Sequence, residues 1–234
     1  MNNRQILTVV TGSRLHGLHQ PNSDTDYRGV FMNTLEDILN PFVKPDDTCW
    51  IEGTCKDDTS YELRKFVKEA VHGNPNFIEI LFSNIVVNET DEGKTLRANA
   101  WRFIDSKRIF EAFKGYSNNQ LNKMELFTPD ARTPKFAVAY IRSLLNGLEL
   151  LVERTITNPV PQLFILPDGY HLDAREILLK IKCTPYTEFD KVRNLCTNVF
   201  SRLQVALGEA FYQREPYCAD IDWIVDFTTK VYKA

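Results

Sequence analysis

The N-terminal part of the chain alternates short apolar runs with turn residues, a pattern that is typical of strands in a sheet. Residues 6–10 are largely apolar and β-branched, which predicts a buried strand. A Thr-Gly-Ser turn at residues 11–13 follows and opens a short helix, and residues 24–31 predict a second strand. Shorter strands are predicted at residues 48–51, 59–61 and 85–87.

Apolar residues at helical spacing predict two helices within this part of the chain, at residues 62–72 and 75–82. Beyond residue 91 the strand signals nearly stop. Helical periodicity is then found at residues 96–104, 108–124, 135–153, 174–181, 189–212 and 221–232. We therefore predict a small α/β domain followed by a helical domain, with the boundary near residues 90–105.

The turn between the first two predicted strands carries the candidate chemistry. Backbone N–H groups at Gly12 and Ser13 can point together at an anion. Strand alternation places Asp24 and Asp26 on one face, where two ionised carboxylates need a cation between them. Asn-Ser-Asp clusters are also common in ordinary turns. Together with the upstream Gly-Ser turn, however, the pair indicates metal-assisted phosphoryl or nucleotidyl transfer.

Gly12-Ser13 followed by Asp24 and Asp26 resembles the G-S…D-x-D signature of polymerase-β-like nucleotidyltransferases. The longer pattern, G-S-R-L-x-G…S-D-x-D-x-R-G, is similar to the predicted nucleotidyltransferases associated with RNA ligases and RNA repair. Residues 61–76 and 113–123 agree with that branch. The resemblance implies an α+β fold, with a mixed-sheet α/β catalytic domain at residues 1–100 and a helical substrate-binding domain at residues 101–234.

The same resemblance implies the reaction. Asp24, Asp26 and a third carboxylate would hold two Mg²⁺ ions about 3.5–4 Å apart, one activating the attacking hydroxyl and one clamping the triphosphate. A nucleoside monophosphate would pass from an NTP such as ATP to a hydroxyl, with release of pyrophosphate. The acceptor implied is an RNA or tRNA 3′ end. The alternatives are a protein side chain, a small molecule, or a nucleotide-binding regulator without turnover.

Three acidic residues compete for the place of the third carboxylate. Strand alternation groups Asp57 with Thr59, and Asp58 with Glu62. Glu62 is alternatively a first-turn carboxylate that favours the helix dipole. The resemblance, through its D-x-x-x-Y pattern, favours Asp57 as the third catalytic residue and metal ligand.

Several further residues are predicted to bind the nucleotide. Gly12 allows a close approach to the phosphates, and Ser13 either binds them or caps the helix. Arg14 is predicted to meet the triphosphate, whereas Arg28 either does so or pairs with a neighbouring carboxylate. The basic pair at the start of the first long helix has the same two alternatives, phosphate binding or a solvated first turn; it consists of Arg64 and Lys65. His16 and His19 lie beside a glycine and are interpreted as loop residues rather than metal ligands.

A polynucleotide acceptor needs a local basic surface, because the net charge is −3. Five cations of the helical part are predicted to converge on a cleft beside Asp24 and Asp26, namely Arg108, Lys114, Lys123, Lys135 and Arg142. Tyr116 and Tyr140 are interpreted either as base-stacking or as core residues.

The cysteines and the hydropathy of the chain indicate its compartment. The 5 cysteines include no C-x-x-C pair, which predicts free thiols in a reducing compartment and no zinc site. No charged-then-apolar leader and no membrane-length apolar run is present. We therefore predict a soluble cytoplasmic protein without a membrane partner. The nucleotide and the oligomeric state are not specified by any pattern.

Overall fold

The computed structural model describes residues 3–42, 44–51, 58–126, 130–166 and 168–233. The chain divides into two compact units. The first, which we call the sheet unit, comprises Met1–Ile104 and Cys218–Ala234, and the second, the helical unit, comprises Asp105–Tyr217.

The strands are β1 Arg4–Thr11, β2 Asp26–Met32, β3 Thr48–Trp50, β4 Thr59–Glu62, β5 Val86–Glu89, β6 Phe164–Ile165 and β7 His171–Leu172. The α-helices are α1 Gly12–Leu15, α2 Leu35–Leu39, α3 Leu63–Val71, α4 Pro75–Phe82, α5 Asp91–Ala98, α6 Ser106–Leu126, α7 Thr133–Glu153, α8 Ala174–Cys183, α9 Asp190–Tyr212 and α10 Ile221–Lys233. Short 3₁₀ helices are Ala100–Phe103 and Tyr186–Glu188. Within the described ranges, no helix is both long and apolar enough to cross a membrane.

The sheet unit is built on a mixed sheet with the strand order β3-β4-β2-β1-β5. β1 runs antiparallel to β2 and β5, β2 is parallel to β4, and β3 is antiparallel to β4. From Ile6 onward β1 is buried on both faces, which explains its continuous apolar run. The predicted α+β fold with a mixed sheet, followed by helices, is confirmed.

One predicted strand boundary is wrong in a way that affects the site. β2 begins at Asp26, whose ladder partner is Thr11, the last residue of β1. Asp24 therefore precedes the ladder, and the argument from strand alternation does not apply to it. Arg14 holds this loop instead, because its guanidinium donates to the backbone carbonyls of Ser23 (2.8 Å) and Asp24 (3.3 Å).

The C-terminal helix groups with the sheet unit, which differs from the predicted helical domain at residues 101–234. The ring of Trp223 meets Phe103 edge-on with centroids 6.3 Å apart, and Asp220 forms an ion pair with Arg102. Near the end of α10, the hydroxyl of Tyr232 donates to the carboxylate of Glu62. These contacts join residues far apart in sequence, so local periodicity carried no signal for them.

The helical unit has α7 at its centre, packed against α6, α8 and α9. Gly147 allows the close approach of α6, since a Cβ there would lie 2.9 Å from Cβ of Phe113. Tyr140 is fully buried and its ring contacts Phe200, so it belongs to the core and is not a base-stacking residue. The short β6–β7 hairpin was not predicted, because two-residue strands are too short to show a period.

Candidate active site

Three chain segments meet at one edge of the mixed sheet. The pair Thr11 and Asp26 closes the β1–β2 ladder, which places the turn after β1 beside the start of β2. Because β4 runs parallel to β2, with Thr59 opposite Arg28, the residue before β4 also lies at this edge. That residue is Asp58. The fold thus brings Gly12, Asp26 and Asp58 together from positions far apart in the chain.

Gly12 is required at the turn by its contact with Asp26. Its φ is +66°, in the left-handed region that favours glycine. A Cβ at this position would lie 2.2 Å from Oδ2 of Asp26. The sequence predicted that Gly12 allows phosphates to approach the backbone; the structure adds that a carboxylate of the chain itself lies against its α-carbon.

Glu79 connects this turn to α4 and was not identified from the sequence. Its Oε1 accepts the backbone N–H of Gly12 at 2.9 Å and lies 2.7 Å from Nε2 of His16. The His16 side chain is 2% exposed and that of Glu79 is 12% exposed, so the contact is largely shielded from water. The available signal was a single acidic residue among the apolar positions of a predicted helix. His16 is therefore part of the site's framework.

The candidates for the third carboxylate lie in different places. Asp58 is 1% exposed and its Oδ1 accepts the backbone N–H of Tyr27 at 2.7 Å. Glu62 lies at the other end of β4, where its carboxylate caps α3 by accepting the N–H groups of Arg64 and Lys65. The structure thus explains Glu62 as a helix cap. Asp57 lies outside the described residues.

The environment of Asp26 disfavours its charged form. Burial is the largest cause that raises the pKa of Asp26 above its usual value of 3.8. Arg28 lowers this pKa, whereas the charges of Asp58, Glu79 and Asp24 raise it further. Several carboxylates are thus close together, and Arg28 compensates their negative charge only in part. A bound cation would favour the ionised form of Asp26.

The predicted nucleotide-binding residues fall into two groups. Arg14 and Arg28 lie near the carboxylates, although Arg14 binds loop carbonyls and Arg28 donates to the carbonyl of Tyr27 at 2.9 Å. Arg64 and Lys65 lie at the far end of β4, where Nζ of Lys65 contacts Oδ1 of Asp47 at 3.1 Å and the Thr48 hydroxyl at 2.7 Å. The structure does not bring the second group to the site.

Ser13 is the second residue of α1, which begins at Gly12. Thr11, not Ser13, therefore takes the cap position, and no side-chain cap bond is formed there.

Two predictions about this region remain open. The part of the chain that the structure describes, which omits Asp57, contains no group of three or more His, Cys, Asp or Glu side chains arranged to hold a metal ion. The basic residues predicted for the acceptor lie on two helices: α6 carries Arg108, Lys114 and Lys123, and α7 carries Lys135 and Arg142. Their convergence on the carboxylates stays a prediction.

Comparison with known proteins agrees with the motif-based resemblance. The chain matches the RNA repair pathway DNA polymerase beta family over residues 2–216. An uncharacterized protein of Methanocaldococcus jannaschii is 27% identical over 212 residues, which cover 88% of this chain and 84% of that protein. The family match includes Gly12, Asp26, Asp58 and Glu79 and continues through nearly all of the helical unit. The chain belongs to the RNA repair pathway DNA polymerase beta family.

Proposed function

We propose that this protein is a Mg²⁺-dependent nucleotidyltransferase that adds a nucleoside monophosphate from an NTP to the 3′ hydroxyl of an RNA. The observation that carries the proposal is the convergence of Asp26, Asp58 and the Gly12 turn at one sheet edge. Membership of a polymerase-β family supports the nucleotidyltransferase chemistry. The proposal goes beyond this family membership in naming magnesium, an NTP and the 3′ end of an RNA.

The donor set fits a hard divalent cation. Carboxylate oxygens are the protein ligands that Mg²⁺ prefers, and this ion usually binds one or two of them together with substrate phosphates. Burial, and then the charges of Asp58, Glu79 and Asp24, raise the pKa of Asp26. A bound cation would lower this pKa again, because it favours the ionised carboxylate. Asp24 and Asp26 would hold the ions, with the third carboxylate from Asp57 or Asp58.

When bound, the ions would supply a lowered hydroxyl pKa and stabilisation of the developing phosphate charge. The acceptor oxygen forms a bond to the α-phosphorus, the bond from that phosphorus to the pyrophosphate oxygen breaks, and the hydroxyl proton is released to water. Gly12 keeps the Asp26 carboxylate close to the turn. We expect the Ser13 hydroxyl and the guanidinium groups of Arg14 and Arg28, which lie on the same segments, to contact the triphosphate.

The test is incubation of the protein with each α-labelled NTP, a single-stranded RNA and either Mg²⁺ or a chelator. Pyrophosphate release together with label on the RNA 3′ end, both lost in Asp26→Asn, is the expected result. Label on the protein itself or on a small molecule would move the proposal to a different acceptor. No pyrophosphate release with any NTP would overturn the assignment as an active transferase.

A further inference from the structure

A groove of about 560 Å³ lies within the helical unit, and none of the described residues that line it is assigned to the reaction. It is bounded by the β6–β7 turn, α8 and one side of α9. The residues that line it are Tyr170, Ile177, Leu195, Asn198, Val199, Ser201 and Arg202. Four of them, at positions 195, 198, 199 and 202, follow the i, i+3, i+4, i+7 spacing of one helix face.

Tyr170 and Arg202 form a solvent-accessible pair in this groove. The guanidinium carbon of Arg202 lies 4.2 Å from the centroid of the Tyr170 ring, and Tyr170 is 42% exposed. The turn fixes the tyrosine: Asp168 accepts its backbone N–H at 2.9 Å, and its carbonyl accepts the N–H of Leu166 at 2.9 Å. These bonds hold the backbone that carries the ring, while part of the tyrosine remains exposed.

The chemistry of the groove suits a nucleobase with its phosphate. Ile177 and Leu195 supply apolar surface, Asn198 and Ser201 supply exposed hydrogen-bonding groups, and none of the lining residues that the structure describes is acidic. Unpaired bases stack on aromatic rings and on arginine planes. Asp168 lies 3.8 Å from Arg202 with both side chains about half exposed, a loose pair that leaves guanidinium donors for a phosphate.

We propose that this groove binds an unpaired nucleobase of a single-stranded RNA, with the base against Tyr170 and Arg202 and a neighbouring phosphate on the guanidinium. The identity of the polymer rests on the proposed function. The site would hold the acceptor strand by stacking, which tolerates any base, so it contributes affinity without reading sequence.

The same helix provides a matched control. The guanidinium carbon of Arg193 lies 5.5 Å from the ring centroid of Phe189, but this ring is buried, so no base can stack on it. Arg193→Gln and Arg202→Gln each remove one positive charge from α9 and one cation–ring contact. Only the second change alters a surface that a base can reach.

The experiment measures fluorescence anisotropy of the full-length protein with two labelled oligoribonucleotides of about 12 nucleotides, within the usual site sizes of roughly 4–16. One is oligoadenylate, and the other has the same backbone with abasic residues. Tyr170→Ala is expected to weaken oligoadenylate binding roughly 5- to 150-fold, the range of one lost stacking contact, and to leave abasic binding unchanged. Tyr170→Phe, which keeps the ring, should bind both as the wild type does.

Arg202→Gln should weaken both oligomers and reduce oligoadenylate binding more than Arg193→Gln does. Asp168→Asn should tighten binding of both, because it removes a negative charge beside the phosphate site. Equal affinities of Tyr170→Ala and the wild type for oligoadenylate, or equal effects of the two arginine changes, would overturn the groove as a base site.

The experiments can overturn the groove proposal and the transferase proposal separately. A Tyr170→Ala protein that binds RNA like the wild type while the wild type releases pyrophosphate overturns the groove alone. A wild type that releases no pyrophosphate, yet binds oligoadenylate through Tyr170, overturns the transferase assignment and supports the groove.

Discussion

The α-carbon of Gly12 lies so close to Asp26 that a Cβ built on the glycine would stand 2.2 Å from Oδ2 of the aspartate. Two independent reasons therefore require glycine at this position. One is its φ of +66°, and the other is the space occupied by the carboxylate. The contact couples the shape of the turn to the position of the candidate metal ligand.

Gly12→Ala should therefore lower both stability and nucleotidyl transfer. Gly169→Ala is the matched control, since Gly169 has a φ of +79° but a Cβ there would meet nothing within 4 Å. Both changes should cost about 1–2 kcal/mol of backbone strain in urea unfolding. Only Gly12→Ala should displace Asp26 and reduce pyrophosphate release at saturating RNA, by roughly a hundredfold for a displacement near 1 Å. Equal losses of activity in the two variants would contradict this account.

Asp26→Asn should abolish transfer and change the pH dependence of stability. The expected loss in rate is about a thousandfold, because a bound metal ion supplies several kcal/mol of transition-state stabilisation. Burial, followed by the neighbouring carboxylates, raises the pKa of Asp26 in the folded state above its usual value of 3.8. The favourable contribution of protonated Asp26 to the free energy of unfolding is therefore fully present below about pH 3.8. It is lost as the pH rises through the higher pKa that Asp26 has in the folded protein.

Without magnesium, the stability of Asp26→Asn relative to the wild type should accordingly increase between pH 4 and pH 7. Glu92→Gln is the control of opposite sign. Hydrogen bonds from Thr90 and Arg4 lower the pKa of Glu92 from 4.5 to about 2, so its contribution is present above pH 4.5 and is lost as the pH falls toward 2. Urea unfolding from about pH 2 to pH 7 covers both windows, and a pH-independent difference for Asp26→Asn would contradict the prediction.

The identity of the third carboxylate can be decided by three substitutions. If Asp58 is the ligand, Asp58→Asn should lose transfer while the amide oxygen still accepts the N–H of Tyr27, so that the fold is kept. If the ligand is Asp57, as the family resemblance implies, Asp57→Asn should be the inactive variant instead. Glu62→Gln should retain transfer and lose about 1 kcal/mol of stability, because it weakens the cap of α3. An inactive, folded Glu62→Gln would move the ligand to Glu62.

Glu79 should act as a positioning residue for the Gly12 turn. Glu79→Ala removes the acceptor of the Gly12 N–H and the carboxylate beside His16, which should cost roughly 1–3 kcal/mol of stability. The expected fall in kcat is about tenfold to a hundredfold, with a smaller change in KM. Glu79→Gln should recover much of the loss, since its amide oxygen can still accept from Gly12.

Glu69→Gln serves as the comparison for Glu79, because the Glu69 carboxylate also accepts a hydrogen bond at a helix junction, in its case from the side-chain amide of Asn74 at 3.1 Å. It should leave kcat unchanged. If Glu79→Ala lowers stability to the same extent as Glu69→Gln and leaves kcat intact, Glu79 has no role in positioning the site.

Salt should weaken acceptor binding if RNA phosphates meet the cations of α6 and α7. The predicted slope is about 0.7 log units per phosphate contact for a single strand. Charge-removing changes at Lys114, Lys123 and Arg142 should flatten it, whereas Lys94→Gln, which removes an exposed cation paired with Asp91 in the sheet unit, should not. A slope near zero in the wild type would favour a protein or small-molecule acceptor.

The sequence by itself determined the local parts of this protein. The apolar run of β1, the Gly-Ser turn and the carboxylates at Asp24 and Asp26 are contiguous, so their periodicity and spacing predicted a sheet domain with a candidate active site. The helices of the helical unit were predicted for the same reason, since hydrophobic periodicity is a property of neighbouring residues. Their ends differed by a few residues because caps and side-chain contacts decide them.

Only the tertiary structure decided which distant residues join the site. Asp58 reaches Asp26 through the parallel pairing of β4 with β2, and Glu79 reaches Gly12 from a helix that follows later in the chain. The return of α10 to the sheet unit and the meeting of Tyr170 with Arg202 are likewise long-range contacts. Strand pairing and side-chain packing set these contacts through free energies that depend on the whole fold, and no local pattern encodes them.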